Sequence, residues 1–153
     1  MLLLLLKIGQ DRYALPANRM IEVVPLVSLK KIPQALPGVA GIFNYHGQPV
    51  PVIDLSDLTI GMPCQPRVST RIILVNYPDA AGQKQILGLM AEQASETIQR
   101  GKADFFNAGI AVKTAPYLGS VLMDRRGIIQ CLEIEKLLSP PLRDLLFAEP
   151  VVP

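Results

Sequence analysis

The sequence predicts an all-β protein with short helices, arranged as two small antiparallel barrels. Three observations lead there. Fourteen prolines and eleven glycines, spread along 153 residues, cut the chain into segments too short for long helices. About ten short apolar runs follow one another, each bounded by turn residues. Within them, Ile42 to Tyr45 and Gln48 to Ile53 flank His46-Gly47, the pattern of a hairpin closed by a two-residue turn.

Half of the residues are hydrophobic, and a chain of this length buries roughly two-thirds of its unfolded surface, so a folded core is expected. The formal charge is only +2 and no Lys/Arg cluster is present, which gives no reason to expect nucleic acid as a partner. Leu2 to Leu6 form an apolar run, but Lys7 ends it long before the roughly 20 residues that a membrane span needs, and no basic leader precedes it. A buried strand from Leu2 to Ile8 is expected, turning through Gly9-Gln10-Asp11-Arg12 into Tyr13-Ala14-Leu15. Cys64 and Cys131 have no metal or redox spacing and read as free thiols in a cytoplasmic protein.

Pro16 to Arg19 reads as a turn and Met20 to Val24 as a strand ended by Pro25. Val27 to Leu36 shows no period and reads as a surface connection. In the hairpin that follows, Tyr45 is expected to face Gln48, Asn44 Pro49, Phe43 Val50 and Ile42 Pro51. That register puts both prolines in non-hydrogen-bonded pairs, so their missing N–H groups lie on the outer side, which must be an edge or pair only in part. Positive φ is demanded of both turn residues, which Gly47 meets freely and His46 tolerates. Asp54 is placed to cap a short helical turn, with Asp57 completing a capping box and Gly61 ending it.

From Pro37 to Leu58 these residues carry a resemblance. Pro37, Gly38, Gly41, Asn44, Gly47, Pro51, Val52, Ile53, Asp54 and Leu55 stand in the order and spacing of the central signature of the CheW family. The resemblance implies two five-stranded, SH3-like β-barrel subdomains, here about 1–62 and 67–138, with a tail over 139–153 and strand exchange between subdomains allowed. It implies a non-enzymatic, cytoplasmic chemotaxis adaptor without cofactor or metal, held peripherally at membrane-bound receptors. One surface would bind the membrane-distal cytoplasmic tip of a chemoreceptor, and another the regulatory domain of a CheA-type histidine kinase. Candidate interface positions carried over are Met20, Glu22, Gly41, Asn44, His46, Gly88, Ala94 and Thr97. The family usually has Arg where this chain has His46, which points to a divergent paralogue. Without a receiver or kinase domain, the chain is expected to be a stand-alone adaptor.

Each candidate also has a plainer reading. A carboxylate such as Glu22 on an edge strand serves as a solvated, gatekeeping charge; by resemblance it lies near position 46 and would pair with His46. Gly41 and Gly88 serve backbone conformation, and the others serve strand packing or the turn.

Gly61 to Pro66 is the expected junction between subdomains. Beyond it, Arg71 to Asn76 and Lys84 to Ala91 read as strands around a loop from Tyr77 to Gln83, and Glu92 to Ile98 continues the second. Phe105 to Thr114 reads as an irregular excursion. Tyr117 to Asp124 and Gly127 to Leu132 form a last hairpin across Arg125-Arg126. Glu133 to Leu138 reads as a short helix. Ser139 caps a second helical turn starting at Pro140, whose Leu142, Leu145, Leu146 and Phe147 either pack back on the barrels or form an exposed tail.

No phosphate-loop, dinucleotide-binding, zinc-protease or nucleophile-elbow motif is present. His46, the one histidine, sits in an expected exposed turn. The competing reading is a small-ligand or hydrolytic β-barrel with a pocket near His46 and Glu22, and an open groove in place of a pocket would argue against it.

Overall fold

The computed structural model describes residues 1–33, 36–107 and 112–148. Among these, nine strands run in the order β1 (Leu2–Ile8), β2 (Asp11–Pro16), β3 (Met20–Pro25), β4 (Val39–Tyr45), β5 (Gln48–Asp54), β6 (Thr70–Pro78), β7 (Lys84–Gln99), β8 (Leu118–Asp124) and β9 (Gly127–Leu132). Helix α1 (Leu55–Ile60) follows β5, and α2 (Pro140–Leu146) follows β9. Part of the expected excursion, 108–111, and the end of the expected tail, 149–153, lie outside the described residues.

The strands fall into two groups that share β7. One runs β3-β6-β7-β5-β4, the other β7-β1-β2-β9-β8. Ladders therefore cross the 62/67 boundary: β1 and β2 join β7 and β9, while β3 joins β6. Residues 61–66 link α1 to β6 within the first group. Among the described residues, no full ladder closes either group into a barrel. A single bridge, Lys30 to Ile42, brings the chain beyond β3 back to β4, and another, Phe106 to Val121, brings the chain beyond β7 back to β8. The SH3-like curl of each group thus ends in one pair of backbone hydrogen bonds.

The β4–β5 hairpin has the expected register, Tyr45 opposite Gln48 and Ile42 opposite Pro51. On its outer side β5 meets β7 only from Val52 to Asp54, beyond both prolines, as their missing donors require. The first hairpin turns more tightly than expected: Gly9, at φ 61°, and Gln10 suffice, so Asp11 and Arg12 join β2. Likewise β6 extends through Tyr77 to Pro78, because Asp79 organises a shorter turn by accepting the Ala81 and Gln83 amides, each at 2.9 Å.

Two caps are seen. Asp54 accepts the amides of Ser56 and Asp57, and Gly61 ends α1 at φ 73°. The capping box does not form. The Asp57 carboxylate accepts the Gly38 amide at 2.9 Å instead, anchoring the chain entering β4. Of Glu133 to Leu138, only Ile134–Lys136 is helical, as one 3-10 turn.

Burial explains the leucine run. Leu4, Leu6 and Ile8 enter the main core between the groups, whereas Leu3 and Leu5 enter the small core inside the second. Strand β6 alternates in the same way, with Ile73, Val75 and Tyr77 in the main core and Ile72 and Leu74 inside the first group. Strands apolar on both faces bury both, each large side chain contributing about 1.5–3 kcal/mol. Helix α2 packs back through Leu142, Leu146 and Phe147. The Tyr77 hydroxyl fastens the preceding segment, donating to the Glu135 carbonyl at 3.0 Å and accepting the Leu138 amide at 3.1 Å.

At Gly88 a Cβ would lie 2.9 Å from Val52 Cγ2 and 3.1 Å from Ile72 Cγ2, two stiff β-branched chains in the core. Gly88→Ala is expected to lower stability by about 1–3 kcal/mol in urea unfolding, and an unchanged midpoint would refute the tight packing of β5 on β7. Arg12 grips Asp124 through two hydrogen bonds and holds its carboxyl well below the usual range. The depressed carboxyl stabilises the fold above the unfolded carboxyl pKa of about 4, and that contribution is lost as pH falls toward the folded value. The stability gap between wild type and Asp124→Asn should therefore be widest near neutrality and shrink on acidification.

Candidate functional site

Glu22, Asn44 and His46 come together at one end of the first group, around Tyr45. Strand β3 presents Glu22 to solvent, opposite Leu74 of β6. The β4–β5 turn carries His46 at φ 52° and Gly47 at φ 82°, the paired positive angles of a type I′ turn. Asn44 holds it by accepting the Gly47 amide on Oδ1 at 2.8 Å.

Glu22 and His46 do not pair as expected. The Tyr45 hydroxyl donates to Glu22 Oε2 at 2.8 Å, and the His46 ring lies against the Tyr45 ring, centroids 4.4 Å apart. The turn's left-handed backbone sets the imidazole on the tyrosine, and the phenol takes the carboxylate. Glu22 in turn raises the Tyr45 phenol's pKa, because the bond holds its proton. Sequence reasoning passed over Tyr45, whose one signal was an amphipathic ring at the strand end before the turn. Phe43, 6.0 Å from Tyr45 between centroids, extends the aromatic surface.

The other candidates lie elsewhere. A Cβ on Gly41, at φ 150°, would lie 2.5 Å from the Lys30 carbonyl oxygen, well inside van der Waals contact, so this glycine admits the bridge to Lys30. Gly88 admits β5. Ala94 is 2% exposed within the main core. Met20 is half-buried and packs against that core, opposite Val75. Thr97 is exposed on the far half of β7, opposite Leu4 of β1.

Groups able to do chemistry are engaged structurally. His46 hydrogen-bonds no serine, cysteine or carboxylate of the described residues. Asp54 accepts three amides, including Cys64 at 2.8 Å; burial pushes its carboxyl up against the pull of those donors. Clefts of about 310–650 Å3 open among the described residues, and neither His46 nor Glu22 lines these. Among the described residues, no group of three or more His, Cys, Asp or Glu is placed to hold a metal ion, and no helix is long and apolar enough to cross a membrane.

Both cysteines are free. Burial, with the charges of Asp54 and Glu92, pushes the Cys64 thiol up to about 12, and burial pushes Cys131 up to about 11. Thiolate is the reactive form, so both should react with a disulfide reagent at neutral pH at least about tenfold more slowly than in the denatured chain. Equal rates would show that the thiols are neither buried nor suppressed.

Comparisons with known proteins agree with this architecture. The family model described as "CheW-like domain" matches residues 2–141. A "Chemotaxis protein CheW" from Helicobacter pylori is 29% identical over 98 residues, 63% of this chain and 56% of that protein, so the match spans about half of the relative's length. Among solved structures, the scaffolding protein TtCheW from Thermoanaerobacter tengcongensis superposes with a TM-score of 0.77 at 23% identity, covering 90% of this chain and 87% of that one. With a family model matched from the first strand through the start of α2, the chain belongs to the CheW-like domain family.

Proposed function

We propose that this protein is a non-catalytic chemotaxis adaptor that couples chemoreceptors, the methyl-accepting chemotaxis proteins, to a CheA-type histidine kinase. The observation that carries the proposal is the family match across both strand groups. In this reading each five-strand group acts as a subdomain, one surface taking the receptor's cytoplasmic tip and another the kinase's regulatory domain. The protein works in the cytoplasm, peripheral to the receptors. Docking of folded partners needs exposed apolar and aromatic area rimmed by polar groups, and no reacting side chain.

The Glu22–Tyr45–His46 surface fits the receptor-facing part of that role. A phenol and an imidazole offer amphipathic contact area at little conformational cost, and the hydrogen bond to Tyr45 orients the Glu22 carboxylate. Met20, Gly41, Asn44, Gly88, Ala94 and Thr97 remain interface candidates in this reading: Asn44 holds the turn of this face, Met20, Gly41, Gly88 and Ala94 set strand positions, and Thr97 offers a separate exposed position on the far half of β7. His46 distinguishes this chain: a guanidinium would reach for a carboxylate with a planar fork, which imidazole lacks.

Pull-down with a purified receptor signalling domain and a CheA-type kinase should give a ternary complex, and failure to bind either one removes the proposal. Tyr45→Phe leaves the Glu22 carboxylate unrestrained and should weaken receptor binding by roughly two- to tenfold. His46→Arg should alter discrimination among receptors, and undiminished selectivity for the cognate receptor would count against a specificity role for this position.

A further inference from the structure

Where β7 passes from the first strand group to the second, its ladder with β1 breaks register. Leu5 faces Glu96 and Lys7 faces Glu92, so Leu6 alone spans three residues of β7. In this bulge Gln93 is held at φ 53°, its amide donating to the Ser69 carbonyl at 2.9 Å. Bulges and left-handed non-glycine residues re-aim side chains and recur at binding sites. This one opens beside a cleft of about 340 Å3, lined by Lys7, Arg12, Arg71 and Arg126, with Glu96 as its carboxylate and Ser69 and Gln93 as neutral polar groups.

The cations are not equally engaged. Arg12 is bound by Asp124, and Arg126 stands 3.7 Å from Glu96. Among the described residues, Arg71 donates only to the carbonyls of Val68 and Thr70 and meets no carboxylate. Lys7, half-buried, has no side-chain hydrogen bond or ion pair among the described residues. The cleft therefore holds two uncompensated cations, as many as the formal charge of the whole chain. Partial burial strengthens their field, and they converge from different elements, Lys7 from β1 and Arg71 from β6, with Arg126 at the turn between β8 and β9.

We propose that this cleft binds a phosphate monoester dianion. The planar fork of Arg71 and the point charge of Lys7 suit a tetrahedral group with several acceptor oxygens, Arg126 exchanges Glu96 for it, and Ser69 and Gln93 supply neutral donors. The volume admits a phosphate together with a sugar-sized substituent and lies at the small end of ligand sites. The bound dianion joins cations from both strand groups.

Two sources carry this group: a soluble phosphorylated metabolite and a lipid headgroup. Titrations of the full chain, followed by amide NMR shifts and by melting temperature at constant ionic strength, would use inorganic phosphate and ribose 5-phosphate. Sedimentation with phosphatidylcholine vesicles, with and without phosphatidic acid, forms the lipid arm. Saturable shifts at residues 7, 69, 71 and 93 are expected, with a rise in melting temperature that follows occupancy. Arg71→Gln and Lys7→Gln should each weaken binding about tenfold or more, while Lys84→Gln, outside the cleft, should not. Binding in one arm alone supports the site and identifies the source. No saturable binding in any arm, or binding that survives both cleft substitutions in variants that melt as wild type does, overturns it.

Discussion

Strand β7, sixteen residues long, pairs in turn with β6, β5 and β1, and both strand groups are assembled on that one strand. Its two halves must satisfy different neighbours, which explains its composition. Gly88 lets the parallel strand β5 approach, and the small side chains of Ala91 and Ala94 lie in the main core where the groups meet. The bulge around Gln93 absorbs the change of register that a continuous strand would otherwise carry into β1. Because one face of β1 packs into the main core and the other into the small core of the second group, an unbroken apolar run such as Leu3 to Leu6 suits that position.

The same economy of contacts shapes the exposed face at the end of the first group. A type I′ turn needs two consecutive positive φ values, so the chain places His46 and Gly47 there and uses Asn44 to hold the loop. Tyr45, the last residue of β4, then carries the link to β3 through Glu22. His46 thus contributes a ring face, laid against Tyr45, to this surface. The buried Asp54 and the two cysteines belong to the same pattern: their polar atoms are occupied by a helix cap or suppressed by burial.

Much of this was legible from residues near one another in the chain. The β4–β5 register followed from the turn and from the positions of two prolines, and the partial pairing of β5 followed from the donors those prolines lack. Caps at Asp54 and Ser139 followed from side chains that accept nearby amides, and the Gly61 cap from a left-handed backbone. Asp57 could not be read so simply, since its carboxylate chose an amide 19 residues away over the one three residues back. The Glu22–His46 pairing failed for a related reason: which side chain reaches a carboxylate depends on ring orientation, and the left-handed turn gave that role to Tyr45.

By itself the sequence determined most of the strands, the β4–β5 turn and the burial of the leucine run, because steric limits on φ and the period-two alternation of side chains act within a few residues. Only the tertiary structure decided that β1 joins β7 and β2 joins β9 while β3 joins β6, and that four cations converge on one cleft. Those outcomes bring together segments up to more than a hundred residues apart, as Arg12 and Asp124 show with a separation of 112. Such partners are selected by the packing of the whole chain, for which no local propensity supplies the distance or the direction.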